Sequence, residues 1–207
     1  AEYLGIADQI RNGSPELLEN PQGKRSYEMS QTSPEEGVKA AIEAVMSMQT
    51  GVPVFKSDKL AGAAWTQATK AAEQWNQPGV FTTLHGFEWT SAPGGNNLHR
   101  TVIFRDNAER VNQVLPFSAF DSSDPARLWE YMDGYTRKTG GQVLAIPHNG
   151  NLSNGMMYSA ETFDGKPMDR AYAEARASHE PLLEATQIKG DGETTPFLSP
   201  TDEFADF

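Results

Sequence analysis

The chain changes texture once, near Val80, and no other feature constrains its fold as strongly. Before that point apolar residues recur at helical spacing. After it, short apolar runs alternate with helical segments and with turns rich in glycine and asparagine. The second texture is the pattern expected of an α/β arrangement with parallel strands. At 207 residues the chain holds enough apolar material for one ordinary core. Residues 1–79 therefore read as a mainly helical insertion or lid, and residues 80–207 as the central part of an α/β domain.

The helical part has two clear elements. Ser33-Pro34-Glu35-Glu36 supplies an N-cap hydroxyl, a proline at the first helical position and acid in the first turn, with Val38, Ala41, Ile42 and Val45 following at helical spacing. Leu60, Ala64, Ala68, Ala71 and Trp75 mark one face of a second helix over Asp58–Trp75, stopped by Gln77-Pro78-Gly79. Residues 11–33 carry so much Pro, Gly, Asn and Ser that they read as loop.

In the mixed part, residues 80–84 and 101–104 read as strands joined by the turn Ser91-Ala92-Pro93-Gly94-Gly95-Asn96-Asn97, a possible hairpin. Asp121-Ser122-Ser123-Asp124-Pro125 opens a helix bearing Leu128, Trp129, Met132 and Tyr135, and Gly140-Gly141 ends it. Residues 142–147 form a strand, and Asn149-Gly150-Asn151-Leu152-Ser153-Asn154-Gly155 forms the loop at its C-terminal end, where functional loops sit in parallel α/β folds. A helix over 168–177, a strand over 183–188 and a loop-like tail over 190–203 complete the pattern.

Charge and composition narrow the function classes. Lys and Arg total 17 against 28 Asp and Glu, and the net charge of −11 would repel a phosphate backbone, which argues against nucleic acid as a partner. Without cysteine there is no disulfide, no thiolate metal site and no cysteine nucleophile, so a metal would have to be held by His, carboxylate or water. No apolar run approaches the ~20 residues that span a bilayer, and the N-terminus lacks the basic-then-apolar pattern of a signal peptide. The abrupt start at Ala1 without Met, and the end on Phe207, read as an interior piece of a longer protein, truncated at both ends.

Chemistry-bearing residues gather at the strand ends. Glu88 follows the first strand in His85-Gly86-Phe87-Glu88-Trp89, and His99 precedes the second in Asn97-Leu98-His99-Arg100, so a hairpin returns it beside Glu88. His148 ends its strand at the mouth of the asparagine loop. Two imidazoles and a carboxylate suit a divalent ion in a hydrolytic site. The plainer readings stay open: a hydrogen-bonded structural histidine, or a Glu88 that pairs with Arg100 or faces solvent. No His-Glu-x-x-His or His-x-His motif is present to decide between them. Glu184, Lys189 and Glu193 are further candidates. Lys189 could hold a phosphate or sulfate oxygen, or could simply reach to water from a strand end.

The segments Gly86-Phe87-Glu88-Trp89, Asn96-Asn97-Leu98-His99-Arg100, residues 133–141, the run Ile146-Pro147-His148-Asn149-Gly150-Asn151-Leu152-Ser153-Asn154-Gly155, and Gln187-Ile188-Lys189-Gly190 resemble the bacterial family called domain of unknown function 3604. That family is distantly similar to the polymerase-and-histidinol-phosphatase (PHP) superfamily of metallo-phosphoesterases. The resemblance implies an incomplete, distorted (β/α)7 PHP-like barrel, with divalent ions, Zn, Mn or Fe and two or more in the intact parent, at the C-terminal ends of the strands. Glu88 resembles the carboxylate of the superfamily's Gly-x-Glu motif, His99 the His that opens the next strand, and His148 the His of its Ile-x-His-Pro motif, with Asn149 in place of the proline. The superfamily's His-x-His, Asp-His and closing Asp-x-His motifs are absent from these 207 residues. Family members typically read Thr-Asp-His immediately before Ala-Glu-Tyr-Leu-Gly, so the resemblance also implies a start just after a ligand pair.

The function implied is hydrolysis of a small anionic substrate such as a phosphate ester by metal-bound hydroxide. Glu88, His99 and His148 would be the ligands, Lys189 or Arg100 the cation that steadies the transferred group, and Asn149, Asn151 and Asn154 a substrate loop. This piece alone is expected to bind metal weakly and to turn nothing over. The resemblance also suggests an exported or periplasmic parent. An alternative from another class is a non-catalytic module that holds carbohydrate or peptide through Trp89 and the loop from Asn149 to Asn154.

Overall fold

The computed structural model describes residues 9–50, 53, 57–191 and 196–197. Residues 9–12 are helical, and three helices follow in quick succession: α1 (Pro15–Leu18), α2 (Pro21–Thr32) and α3 (Pro34–Thr50). Most of residues 11–33 are thus helical, not loop. Their prolines and polar residues are caps. The Ser14 hydroxyl accepts from Leu17 N at 3.3 Å ahead of Pro15, and the Asn20 carbonyl oxygen accepts from Gln22 N at 3.0 Å and Gly23 N at 3.1 Å ahead of Pro21. Ser33 ahead of Pro34 repeats the device, accepting from Glu36 N at 3.3 Å. A side-chain acceptor satisfies orphan N–H groups while proline needs none of its own, so three Ser/Asn-Pro pairs start three helices.

The apolar stripe on α3 does not become its buried face: Val38 and Ile42 are exposed, while Ala40 and Ser47 are buried. The side chain of Val45 lies outside the described residues. α4 (Asp58–Trp75) has the expected limits and a rotated buried face, Leu60, Trp65 and Thr69, with Trp75 exposed. This helix, from the mainly helical 1–79, sends Trp65 into the main core against Phe87 and Phe104, with ring centroids 6.2 and 6.1 Å apart.

That core lies on one face of a three-stranded antiparallel sheet, β1 (His85–Trp89), β2 (Arg100–Phe104) and β3 (Val143–Pro147), in that spatial order. β1 and β2 form the hairpin the sequence suggested. The strands are not parallel as expected, because β3 returns from the helix after β2 to pair in the opposite direction. The first strand also begins later than residues 80–84, whose Val80, Phe81 and Leu84 are exposed. Gly86 is required by close approach, since a Cβ there would stand 2.5 Å from the Val102 carbonyl oxygen.

A short helix α5 (Ala108–Val111) follows β2, and α6 (Pro125–Thr139) then lays Leu128, Trp129, Met132 and Tyr135 on the same core. Asp124 caps α6 at Ala126 N, 2.9 Å away, and Gly140 ends it with φ 68°, a left-handed conformation that only glycine adopts without strain. α7 (Arg170–His179) packs on α6 through Tyr172 and His179 against Trp129. The expected strand over 183–188 shrinks to β4 (Thr186–Gln187), which among the described residues pairs with β5 (Gly190–Asp191) alone, while Leu183 and Ile188 are exposed. Most of the tail over 190–203, with Glu193, lies outside the described residues. Among the described residues no helix is long and apolar enough to cross a membrane.

Candidate metal centre

Alternation along the strands separates two faces. His85, Phe87 and Trp89 of β1, Arg100, Val102 and Phe104 of β2, and Ala145 and Pro147 of β3 are buried on the core side. Glu88 points to the other side and faces Thr101 in the β1–β2 register. His99 precedes Thr101 by two residues and so continues that second face. Pro147 pairs with Arg100, and one step further the His148 N–H donates to the His99 carbonyl at 3.2 Å, which sets the two histidines side by side.

The three side chains meet. His148 Nε2 is 2.9 Å from Glu88 Oε1, and His99 Nδ1 is 3.2 Å from the same oxygen. The imidazole rings are 5.7 Å apart, centroid to centroid, at 75°. One ligand atom from each residue lies within 4.8 Å of the other two. Donors around a tetrahedral zinc, each ~2.1 Å from the ion, stand roughly 3.4 Å apart, so the cluster is of coordination size.

Electrostatics favour a cation here. The His148 hydrogen bond, and next the His99 contact, hold the Glu88 carboxyl well below the usual carboxylate range and outweigh its partial burial. Glu88 is therefore ionised at neutral pH. His99 Nδ1 lies 3.2 Å from that carboxylate and, among the described residues, is buried without a well-formed hydrogen bond. An orphaned buried imidazole nitrogen costs stability in an ion-free protein, whereas a coordinated ion would satisfy it. The donor set and the orphaned nitrogen both fit a divalent ion. Side-chain exposures of 32% for Glu88, 18% for His99 and 15% for His148 leave one side of the cluster open to solvent.

The surrounding loops are pinned. Leu98 N donates to Ser91 O at 2.9 Å, Asn97 N to Leu152 O at 3.0 Å, and the Asn97 side chain accepts from His99 N at 2.9 Å. The turn before β2 and the asparagine loop after β3 are thus tied together beside the cluster. Ser153 is buried and holds the second loop, donating to Gly150 O at 2.6 Å and accepting from Met157 N at 3.2 Å.

The family model for proteins of unknown function designated DUF3604 matches residues 1–207. The chain belongs to this family. No curated protein and no solved structure matches it.

Other residues of the DUF3604 chain that the sequence singled out fall in different places. Arg100 is on the core face, opposite to Glu88, and cannot pair with it. Its Nε donates to Glu180 Oε1 at 3.0 Å and its Nη1 to Leu98 O at 2.6 Å, with both Arg100 and Glu180 2% exposed. The period of two along β2 turns this cation inward, to the core face. Trp89 is fully buried on the same face, so the binding-module alternative loses its aromatic platform. Lys189 is exposed in the turn between β4 and β5.

Asn151 and Asn154 stand exposed on the loop, Asn154 with φ 52°. Asn149 is different: it is 1% exposed, sits at φ 58°, and its side-chain oxygen accepts from Gln187 Nε2. Glu184 is the other partner of this corner. Burial pushes its carboxyl up, but the Asn149 N–H, the Gln187 amide and the charges of His148 and Lys189 bring it below its ordinary value. Sequence reasoning missed two members of the neighbourhood. Thr101, whose Oγ1 is 3.4 Å from His148 Nδ1, was legible from its two-residue spacing to His99. Gln187 opens one of the segments that carry the family resemblance, but its contact with Asn149 spans 38 positions and had no local signal.

Proposed function

We propose that this chain carries the metal-binding centre of a metal-dependent hydrolase acting on a small anionic ester such as a phosphate ester. The observation that carries the reading is the convergence of Glu88, His99 and His148 on one open-sided cluster of coordination size. Two histidines and one carboxylate leave coordination positions free for water and substrate, the pattern of catalytic rather than closed structural sites. A divalent ion, Zn, Mn or Fe, would supply Lewis-acid polarisation and a lowered pKa for water.

The chain's own residues prepare the place. Ionised Glu88 contributes the negative charge that attracts the cation. Its Oε1 only accepts, so the His148 Nε2 facing it is assigned the ring hydrogen in the ion-free protein, and that hydrogen must leave before Nε2 can act as a ligand. Thr101 Oγ1 is placed to hold the opposite nitrogen, Nδ1, and so to fix the ring orientation. Lys189 is the remaining cation among the sequence candidates, and we assign it contact with the anionic group of the substrate. Arg100, committed to Glu180, is not assigned that role.

Likeness to the PHP superfamily supports the ligand types through Gly86-Phe87-Glu88 and Ile146-Pro147-His148. It draws nothing from the sheet, which is antiparallel where a (β/α)7 barrel runs parallel. Because the superfamily's His-x-His and Asp-x-His motifs have no counterpart in residues 1–207, this chain by itself is expected to bind metal weakly.

Calorimetric titration with Zn2+ and Mn2+ tests the reading. Wild type is expected to bind with micromolar or weaker affinity, and a Glu88→Gln/His99→Ala/His148→Ala variant to bind nothing. Equal binding by the two proteins would remove the metal centre. Sub-micromolar binding with hydrolysis of a generic phosphodiester would instead overturn the expectation that these residues bind metal weakly.

A further inference from the structure

β3 ends on a corner that a strand would not make unaided. Asn149 follows His148 directly and takes φ 58° and ψ 37°, a left-handed conformation that asparagine tolerates better than most residues but does not prefer. A contact from outside the local sequence would help to hold it there. The fold supplies a partner from 35 positions away: Glu184 Oε2 accepts from the Asn149 backbone N–H at 3.0 Å. The Glu184 N–H donates in turn to the Pro147 carbonyl at 3.1 Å, so residue 184 grips the chain on both sides of His148.

Gln187 adds a second tie. Its Nε2 donates to Glu184 Oε2 at 2.6 Å and also to Asn149 Oδ1. The chemistry fixes every amide orientation in this chain of bonds. Glu184, once ionised, can only accept, so Gln187 must present its NH2 group to it. The second hydrogen of that group then requires an oxygen from Asn149. Among the described residues, Asn149 Nδ2 is left buried without a hydrogen-bond partner.

We propose that Glu184 and Gln187 are positioning residues for the metal centre, locking the His148–Asn149 corner so that the His148 imidazole is held toward Glu88. The purpose of the lock rests on the metal-centre reading. The lock itself belongs to the ion-free chain. His148 has a hydrogen bond at its backbone N–H to His99, a contact at Nδ1 to Thr101 and one at Nε2 to Glu88, and each depends on where the backbone leaves β3. Outer partners of metal ligands act in this way, setting ring orientation without touching the ion.

Three variants test it: Glu184→Ala and Gln187→Leu, which remove the ties, and Glu184→Gln, which keeps an acceptor oxygen. Two readouts are taken on each protein, with circular dichroism and a thermal melt to verify folding. The first is the 15N and 1H resonances of the His148 ring in the ion-free protein. Glu184→Ala and Gln187→Leu should shift the Nε2 signal and lose its hydrogen-bonded proton, while Glu184→Gln should stay near wild type. The second is a Zn2+ titration, with the visible spectrum of bound Co2+ as a check on geometry. Affinity should fall about 10–100-fold in Glu184→Ala and Gln187→Leu and only a few-fold in Glu184→Gln, as for other outer-sphere partners.

Unchanged ring resonances in folded Glu184→Ala and Gln187→Leu would overturn the lock, whatever the metal result. If wild type binds no Zn2+ but the ring resonances move as expected, the metal-centre reading fails and the lock stands as a feature of the fold. Wild-type Zn2+ affinity and Co2+ spectrum in both folded variants would separate the lock from the metal, and the positioning role would be withdrawn.

Discussion

The two faces of the three-stranded sheet do different work, although they alternate residue by residue along the same strands. One face buries Phe87, Trp89, Val102, Phe104 and Ala145 against Trp65 and the apolar stripe of α6. The other carries Glu88, His99, Thr101 and His148, partly open to solvent. Neighbouring residues therefore face apart: Trp89 and Arg100 belong to the core face, and Glu88, His99 and Thr101 to the candidate centre. The strand period of two permits this division, because a rigid buried face fixes the positions of side chains that cannot pack for themselves.

The division can be broken most severely from the core side. Phe104→Ala removes a ring that stacks edge-on against Tyr135 at 4.8 Å and touches Trp65 and Phe87, and it should cost about 3–5 kcal/mol in a denaturant titration. A loss below ~1 kcal/mol would mean that this face is not the core that the burial describes.

The site face should respond to acid instead. Glu88 has a folded pKa below its unfolded one, so its ionised form contributes stability above the ordinary carboxylate range, near pH ~4, and that contribution is lost as pH falls toward the folded value. Ion-free wild type should lose stability between neutral and acid pH more steeply than Glu88→Gln, read as melting temperature against pH. Parallel curves would show that the two imidazoles do not stabilise the carboxylate.

The smallest effect is expected at Thr101→Val. The change keeps shape but removes the hydroxyl 3.4 Å from His148 Nδ1, so stability should move by no more than about 1 kcal/mol while Zn2+ affinity falls several-fold. A large stability loss with unchanged metal affinity would reverse the assignment of this residue to the site face.

Local signals were read well where they stood alone. The Ser33-Pro34 start of α3, the limits of α4, and α6 between Asp124 and Gly140 were all legible, because caps and stops act within a few residues. The same Ser/Asn-Pro device at Ser14-Pro15 and Asn20-Pro21 was hidden by composition, since loops use those residues too. β1 begins five residues after the start expected at Val80, because the exposed apolar run at 80–84 is more hydrophobic than the strand itself, whose membership is decided by pairing with β2.

The site shows the same limit. That Glu88, His99 and His148 would meet was readable from strand ends and one hairpin. That Arg100 would turn away to Glu180, 80 positions distant, was not.

The sequence by itself determined the start of α3, the limits of α4 and α6, the turn that joins β1 to β2, the chemistry available to a cysteine-free cluster, and the family. Only the tertiary structure decided the antiparallel direction of β3, the burial of Trp89 and Arg100, and the grip of Glu184 and Gln187 on the His148–Asn149 corner. The physical reason is range. Caps, turns and strand alternation are set by neighbours in the chain, whereas strand direction, partner choice for a buried charge and the support of a strained corner depend on groups that only folding brings together.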